Sequence, residues 1–198
     1  MSYIVAGLGN PEEEYKNTRH NAGRIVIEHL MQSADADFTD WKEDKKTKTL
    51  TSKGTLSGKK LTLVWPDNFM NNSGGSIKPL ITSKKAAEEL IVIHDDLDLP
   101  IGNFRISFNR GPGGHNGVKS IIQNIKTEAF IRIRVGISPV TPSGKIKRPV
   151  GEKDVEKLIL GEFKKPELDL LKKESKKITE AIACIITEGR NKAMSLYN

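Results

Sequence analysis

Two short, unbroken apolar runs constrain this chain most: Tyr3–Gly7 (YIVAG) near its start and Leu90–His94 (LIVIH) near its middle. Both are strand-length and lack polar alternation, the pattern of strands covered on both faces. Such a sheet needs helices on each side. Ala22, Ile25, Val26 and Leu30 follow helical spacing, with Asn21 as the expected N-cap. Val118, Ile121, Ile122 and Ile125 make a second stripe, and Leu168, Leu171, Ile178, Ile182 and Ile185 a third on a long terminal helix. Phe104–Phe108 and Ile131–Ile137 read as strands, Thr47–Trp65 as a hairpin turning at Ser57-Gly58, and Ser73 to about Ser83 as a helix. Strands alternating with helices predict an α/β fold around a mixed, largely parallel twisted sheet.

The 198 residues suit a single domain spanning 1–198. The sequence reads as one without linker, repeat, secretory leader or membrane-spanning run. A single cysteine, Cys184, excludes an internal disulfide and fits a reducing, cytoplasmic setting. The net charge of +7 suits a polyanionic partner and equally a merely basic protein. The Pro-, Gly- and Lys-rich segment 138–152 reads as an exposed connector, with a lid as the alternative.

In parallel sheets ligands gather beyond the carboxyl ends of the strands. Asn10 follows the first run and Asp95 follows LIVIH, so parallel pairing of the two brings both to one edge. There is no G-x-S-x-G elbow, no metal-binding His/Cys spacing and no phosphate-binding P-loop. What remains is a set of polar clusters at turns: Gly9-Asn10-Pro11, Thr18-Arg19-His20-Asn21, Phe69-Met70-Asn71, Asp95-Asp96 and Gly113-Gly114-His115-Asn116-Gly117. His20 is the candidate general base, because a neutral imidazole accepts a proton near pH 7. Asp95 is the candidate that fixes its tautomer. Taken singly, a helix-start histidine, a strand-end aspartate and turn asparagines are all ordinary structural residues.

Together, GLGNP, YKNTRHNAG, PDNFMNNSG, HDDLDLPIG and GPGGHNGVKSI, in this order, resemble the bacterial-type peptidyl-tRNA hydrolases. The resemblance runs on through FIRIRVGI and DVEKLILGEF, nearly the whole chain. It implies one α/β/α domain, monomeric, without metal or organic cofactor, that hydrolyses the ester joining a peptide to the tRNA 3′ ribose and so recycles tRNA after abortive translation. By the same resemblance His20 is the base and Asp95 its orienting acid. Asn10 tells peptidyl-tRNA from aminoacyl-tRNA, and Asn71 and Asn116 bind the peptide backbone, scissile carbonyl and water. Tyr15, Phe69, Met70 and Gly114 fall at substrate-contacting positions, and Arg105 and Arg134 at positions that hold acceptor-stem phosphate as the CCA end enters the site.

The pattern is not complete. Ser107 stands where relatives carry a second basic residue, with Arg110 nearby as a substitute. Trp65 and Arg24 replace a lysine and an aromatic, away from the expected chemistry. His115 is expected to make a structural hydrogen bond. Two other readings stay open: an RNA-binding relative without turnover, and an esterase acting on small substrates.

Overall fold

The computed structural model describes residues 2–198. Its strands are β1 (Tyr3–Gly7), β2 (Ala36–Phe38), β3 (Lys42–Asp44), β4 (Thr49–Leu56), β5 (Lys59–Pro66), β6 (Leu90–Pro100), β7 (Phe104–Phe108) and β8 (Ile131–Ser138). The helices are α1 (Ala22–Met31), α2 (Ser73–Ile77), α3 (Lys84–Glu88), α4 (Asn116–Ile125), α5 (Glu152–Ile159), α6 (Lys165–Glu188) and α7 (Arg190–Tyr197). Short 3-10 turns precede α1 and α2.

The strand order is β2-β4-β5-β1-β6-β8-β7, with β3 on β4. Parallel pairing joins the four central strands β5, β1, β6 and β8, and the flanks are antiparallel. The expectation of a mixed α/β sheet holds, its parallel part confined to the centre. The central strands split their side chains between two cores, as alternate residues of a pleated strand must. Val5, Ile91, Ile93, Leu61 and Leu63 meet α1 and α6 on one face. Ala6, Leu90, Val92 and Val64 meet α2, α4 and Phe130 on the other. Burial on both faces is why YIVAG and LIVIH are apolar without alternation. The β4–β5 turn falls at Ser57 and Gly58, both left-handed, as a two-residue hairpin turn requires.

Three expectations are corrected. The helix expected from Ser73 to about Ser83 is broken: Pro79 sits in a 3-10 turn between α2 and α3, because proline lacks the N–H that continued helix needs. LIVIH does not end at His94, so Asp95 lies inside β6, paired with Val135 of β8. Asn21 occupies the residue before α1 but makes no cap bond with its side chain. Segment 138–152 is largely exposed and carries a small hairpin of its own, with Val140 bridged to Ile146. Among the described residues no helix is long and apolar enough to cross a membrane.

Candidate active site

The carboxyl edge of the parallel strands gathers the polar clusters. Arg19 and His20 lie in the turn that opens α1. Arg19 holds that turn to the α5–α6 junction, donating to the carbonyls of Gly161 and Glu162 and pairing with Glu167 at 2.7 Å. Asn21 is spent on the loop after β1. Its Oδ1 accepts from the Asn10 N–H at 2.8 Å, and its Nδ2 donates to the Asn10 carbonyl at 3.0 Å. That clasp is why Asn21 does not cap α1. Asn10 in turn accepts the Met70 N–H on its own Oδ1 at 3.0 Å, fixing the Phe69-Met70-Asn71 turn. Gly74 of α2 donates to Ser120 of α4 at 3.0 Å, so the turns bearing Asn71 and Asn116 are held side by side.

A cleft of about 540 Å³ results, lined by Asn10, His20, Phe69, Met70, Asn71 and Asn116, with Val155 and Ile159 of α5 opposite. Phe69 is 48% exposed at its rim, and Tyr15 stands edge-on to it with ring centroids 6.5 Å apart. A second lobe of about 310 Å³ shares His20, Asn116, Val155 and Ile159 and adds Asp95, Gly114, His94 and His115.

His20 Nδ1 lies 2.9 Å from Asp95 Oδ1, and both residues are buried, at 7% and 4% exposure. Burial alone favours the neutral acid at Asp95. The two neighbouring imidazoles and their N–H groups outweigh it and hold the carboxyl well below the usual carboxylate range. An ionised carboxylate only accepts, so the neutral His20 ring carries its proton on Nδ1 and keeps Nε2 bare. At His20, burial disfavours the charged ring, but the charge and hydrogen bond of Asp95 prevail and raise its pKa above the ordinary imidazole value. His94 is kept neutral, by burial first and then by the nearby His115.

His115 meets the same carboxylate oxygen through Nε2, at 2.9 Å. Its Nδ1 accepts the Val118 N–H at the start of α4, at 3.3 Å. The structural hydrogen bond expected of His115 is therefore present, and with it a contact the sequence did not suggest. His20, Asp95 and His115 place three donor atoms within 4.8 Å of one another, a spacing open to a metal ion. Tautomer chemistry opposes that reading: a metal on His115 Nε2 pushes the ring proton onto Nδ1, against the Val118 N–H. The trio is satisfied as hydrogen bonds.

Arg105 and Arg134 lie apart from this cleft, in a cavity of about 640 Å³ lined also by Arg110, Arg132, Asp96 and Asp98. Four arginines against two aspartates leave it basic. Arg134 pairs with Asp96 at 2.6 Å. Ser107 sits across the strand pair from Arg132, its hydroxyl buried and unpartnered. Arg132 is buried and forms no ion pair among the described residues. Arg110 shares the cavity with Arg105. No expectation attached to Arg132, whose place in the cavity follows from the pairing of β7 with β8. Arg24 and Trp65, the other two departures, meet each other, with the guanidinium 5.5 Å from the indole centroid, away from His20.

A family model described as peptidyl-tRNA hydrolase matches residues 4–198. The chain belongs to the peptidyl-tRNA hydrolase family. Among its relatives, the peptidyl-tRNA hydrolase of Lachnospira eligens is 38% identical over 197 residues, covering 99% of each chain. That of Fervidobacterium nodosum is 43% identical over 195 residues, 98% of this chain and 95% of that one. The crystal structure of the peptidyl-tRNA hydrolase from Acinetobacter baumannii superimposes with a TM-score of 0.84 at 29% identity, over 100% of this chain and 94% of that one. These relatives are named hydrolases, and the fold described above is that of the solved family member.

Proposed function

We propose that this protein hydrolyses the ester between a peptide and the 3′-terminal ribose of tRNA, by direct attack of water activated by His20 and Asp95. One observation carries the reading: His20 Nδ1 meets the buried Asp95 carboxylate at 2.9 Å, which favours a neutral ring with Nε2 bare, beside a cleft whose lining includes Asn10, Asn71 and Asn116. Nε2 takes a proton from water as the water oxygen bonds to the ester carbonyl carbon. The carbonyl oxygen becomes an oxyanion, which the Asn71 or Asn116 amide stabilises by donating to it. Collapse breaks the bond to the ribose oxygen, and the His20 imidazolium returns its proton to that oxygen. The peptide leaves with a carboxyl group and the tRNA with its hydroxyl. No metal or organic cofactor enters these steps.

Asn10 adds selectivity. Its Oδ1 is a neutral acceptor already committed to Met70, so it gives a free α-ammonium no ionic reward. The cavity of Arg105, Arg110, Arg132 and Arg134 supports docking of the acceptor-stem phosphates, with the CCA end reaching the cleft. Recycling of tRNA after abortive translation, by a monomer in the cytoplasm, follows as the setting.

The test is release from an N-acetyl-aminoacyl-tRNA against the unblocked aminoacyl-tRNA. Cleavage of the blocked form alone supports the reading. Binding of tRNA with neither form cleaved overturns it in favour of an RNA-binding relative. Cleavage of small esters without salt sensitivity favours the general esterase instead.

A further inference from the structure

The carboxylate that orients His20 is not devoted to it. Asp95 Oδ1 is 2.9 Å from His20 Nδ1 and also 2.9 Å from His115 Nε2. The two rings approach from different elements, His20 from the turn before α1 and His115 from the start of α4, with centroids 5.1 Å apart. Which atom His115 offers is settled on its far side. The Val118 N–H points at Nδ1, so Nδ1 is the bare nitrogen and Nε2 bears the hydrogen. The cap of α4 thereby makes His115 a donor to Asp95.

We infer that His115 is a positioning residue, which shares the Asp95 carboxylate with His20 and restrains how strongly that carboxylate favours the His20 imidazolium. This rests on His20 being the base. A base must be neutral when water arrives, and a buried aspartate serving one imidazole alone drives that ring toward the protonated, inactive form. A second N–H donor on the same oxygen draws off part of that charge. It also keeps the carboxylate oriented when His20 has taken a proton.

The other titratable groups around the two rings are Glu152 and Glu156 of α5, which line the His20 cleft, and Asp96, Asp98 and the neutral His94 of β6, which line the lobe holding His115. Arg19, next to His20, is engaged by Glu167. Among the described residues none of these carboxylates is paired with either ring.

His115→Asn separates the two tasks of the side chain. Asparagine is a good N-cap and can still accept the Val118 N–H, but its amide is too short to reach where Nε2 sits. The expected result is an unchanged melting temperature. The acid limb of the kcat/KM profile moves up by about one pH unit, roughly a tenfold loss of rate below the limb, with little loss on the alkaline plateau. An equal loss at every pH, or an unmoved limb, overturns the inference and leaves His115 as a helix cap. A second measurement needs no variant. Imidazole nitrogen NMR of the intact protein is expected to show His115 protonated on Nε2 and His20 on Nδ1; His115 protonated on Nδ1 contradicts the inference. Retained turnover in His20→Ala is a separate result, since it removes the base and not only its tuning.

Discussion

His20 and Asp95 are 75 residues apart in sequence and 2.9 Å apart in space, both buried at the carboxyl edge of the parallel strands. Asp95→Asn removes the charge and allows the other tautomer, with the side-chain amide donating to Nδ1 and the imidazole proton on Nε2. That proton then occupies the nitrogen meant for water. The expected loss is about 10²-fold or more in kcat, with KM little changed. Steady-state kinetics on peptidyl-tRNA checks it.

The raised pKa of His20 has a direct kinetic consequence. Activity requires the neutral ring, so kcat/KM rises with pH through an apparent pKa above the ordinary imidazole value of about 6.5. For stability the sign is opposite. A group whose pKa is higher in the folded state stabilises the fold below its unfolded value, and that contribution is lost as pH rises through the folded value. A pH–rate profile beside a pH–melting series distinguishes the two trends.

Asn10→Asp keeps an oxygen for the Met70 N–H but introduces a charge. The fold is expected to survive, while unblocked aminoacyl-tRNA, with its free ammonium, becomes a better substrate relative to the blocked form. The ratio of the two hydrolysis rates is the readout. An unchanged ratio removes Asn10 from selectivity.

Arg105 stands exposed at the basic cavity and makes no ion pair among the described residues. Arg105→Ala is expected to weaken tRNA binding, to lower the slope of log K against log salt by about one, and to leave kcat nearly unchanged. Binding titrations at several salt concentrations test this.

Gly23 lets α1 lie directly on the sheet, since a Cβ there collides with the carbonyl of Ile93 and the backbone of Leu8. Gly23→Ala is expected to cost about 1–3 kcal/mol in denaturant unfolding, despite the better helix propensity of alanine.

The central strands, α1, α4 and α6 were legible because buried strands and amphipathic helices print distinct periodicities. The break at Pro79 was legible too, because proline interrupts any helix it falls inside. The α5 segment EKDVEKLI was harder to read: its apolar spacing is a single turn, Val155, Leu158 and Ile159, set in a run of Glu, Lys and Asp. His20, Asp95 and the asparagines stood out as polar residues at turns, and the parallel pairing of β1 with β6 explains why distant turns share one edge. The His115 contact and the burial of Arg132 were not legible. Each depends on which neighbour a side chain meets across the fold, and no local spacing encodes that.

The most direct measurement is single-turnover hydrolysis of an N-blocked aminoacyl-tRNA by wild type and His20→Ala, with tRNA affinity determined in parallel. A base that takes the proton from water predicts a fall of at least about 10²-fold in the hydrolytic rate with affinity unchanged. Hydrolysis that survives the substitution, with affinity intact, contradicts it.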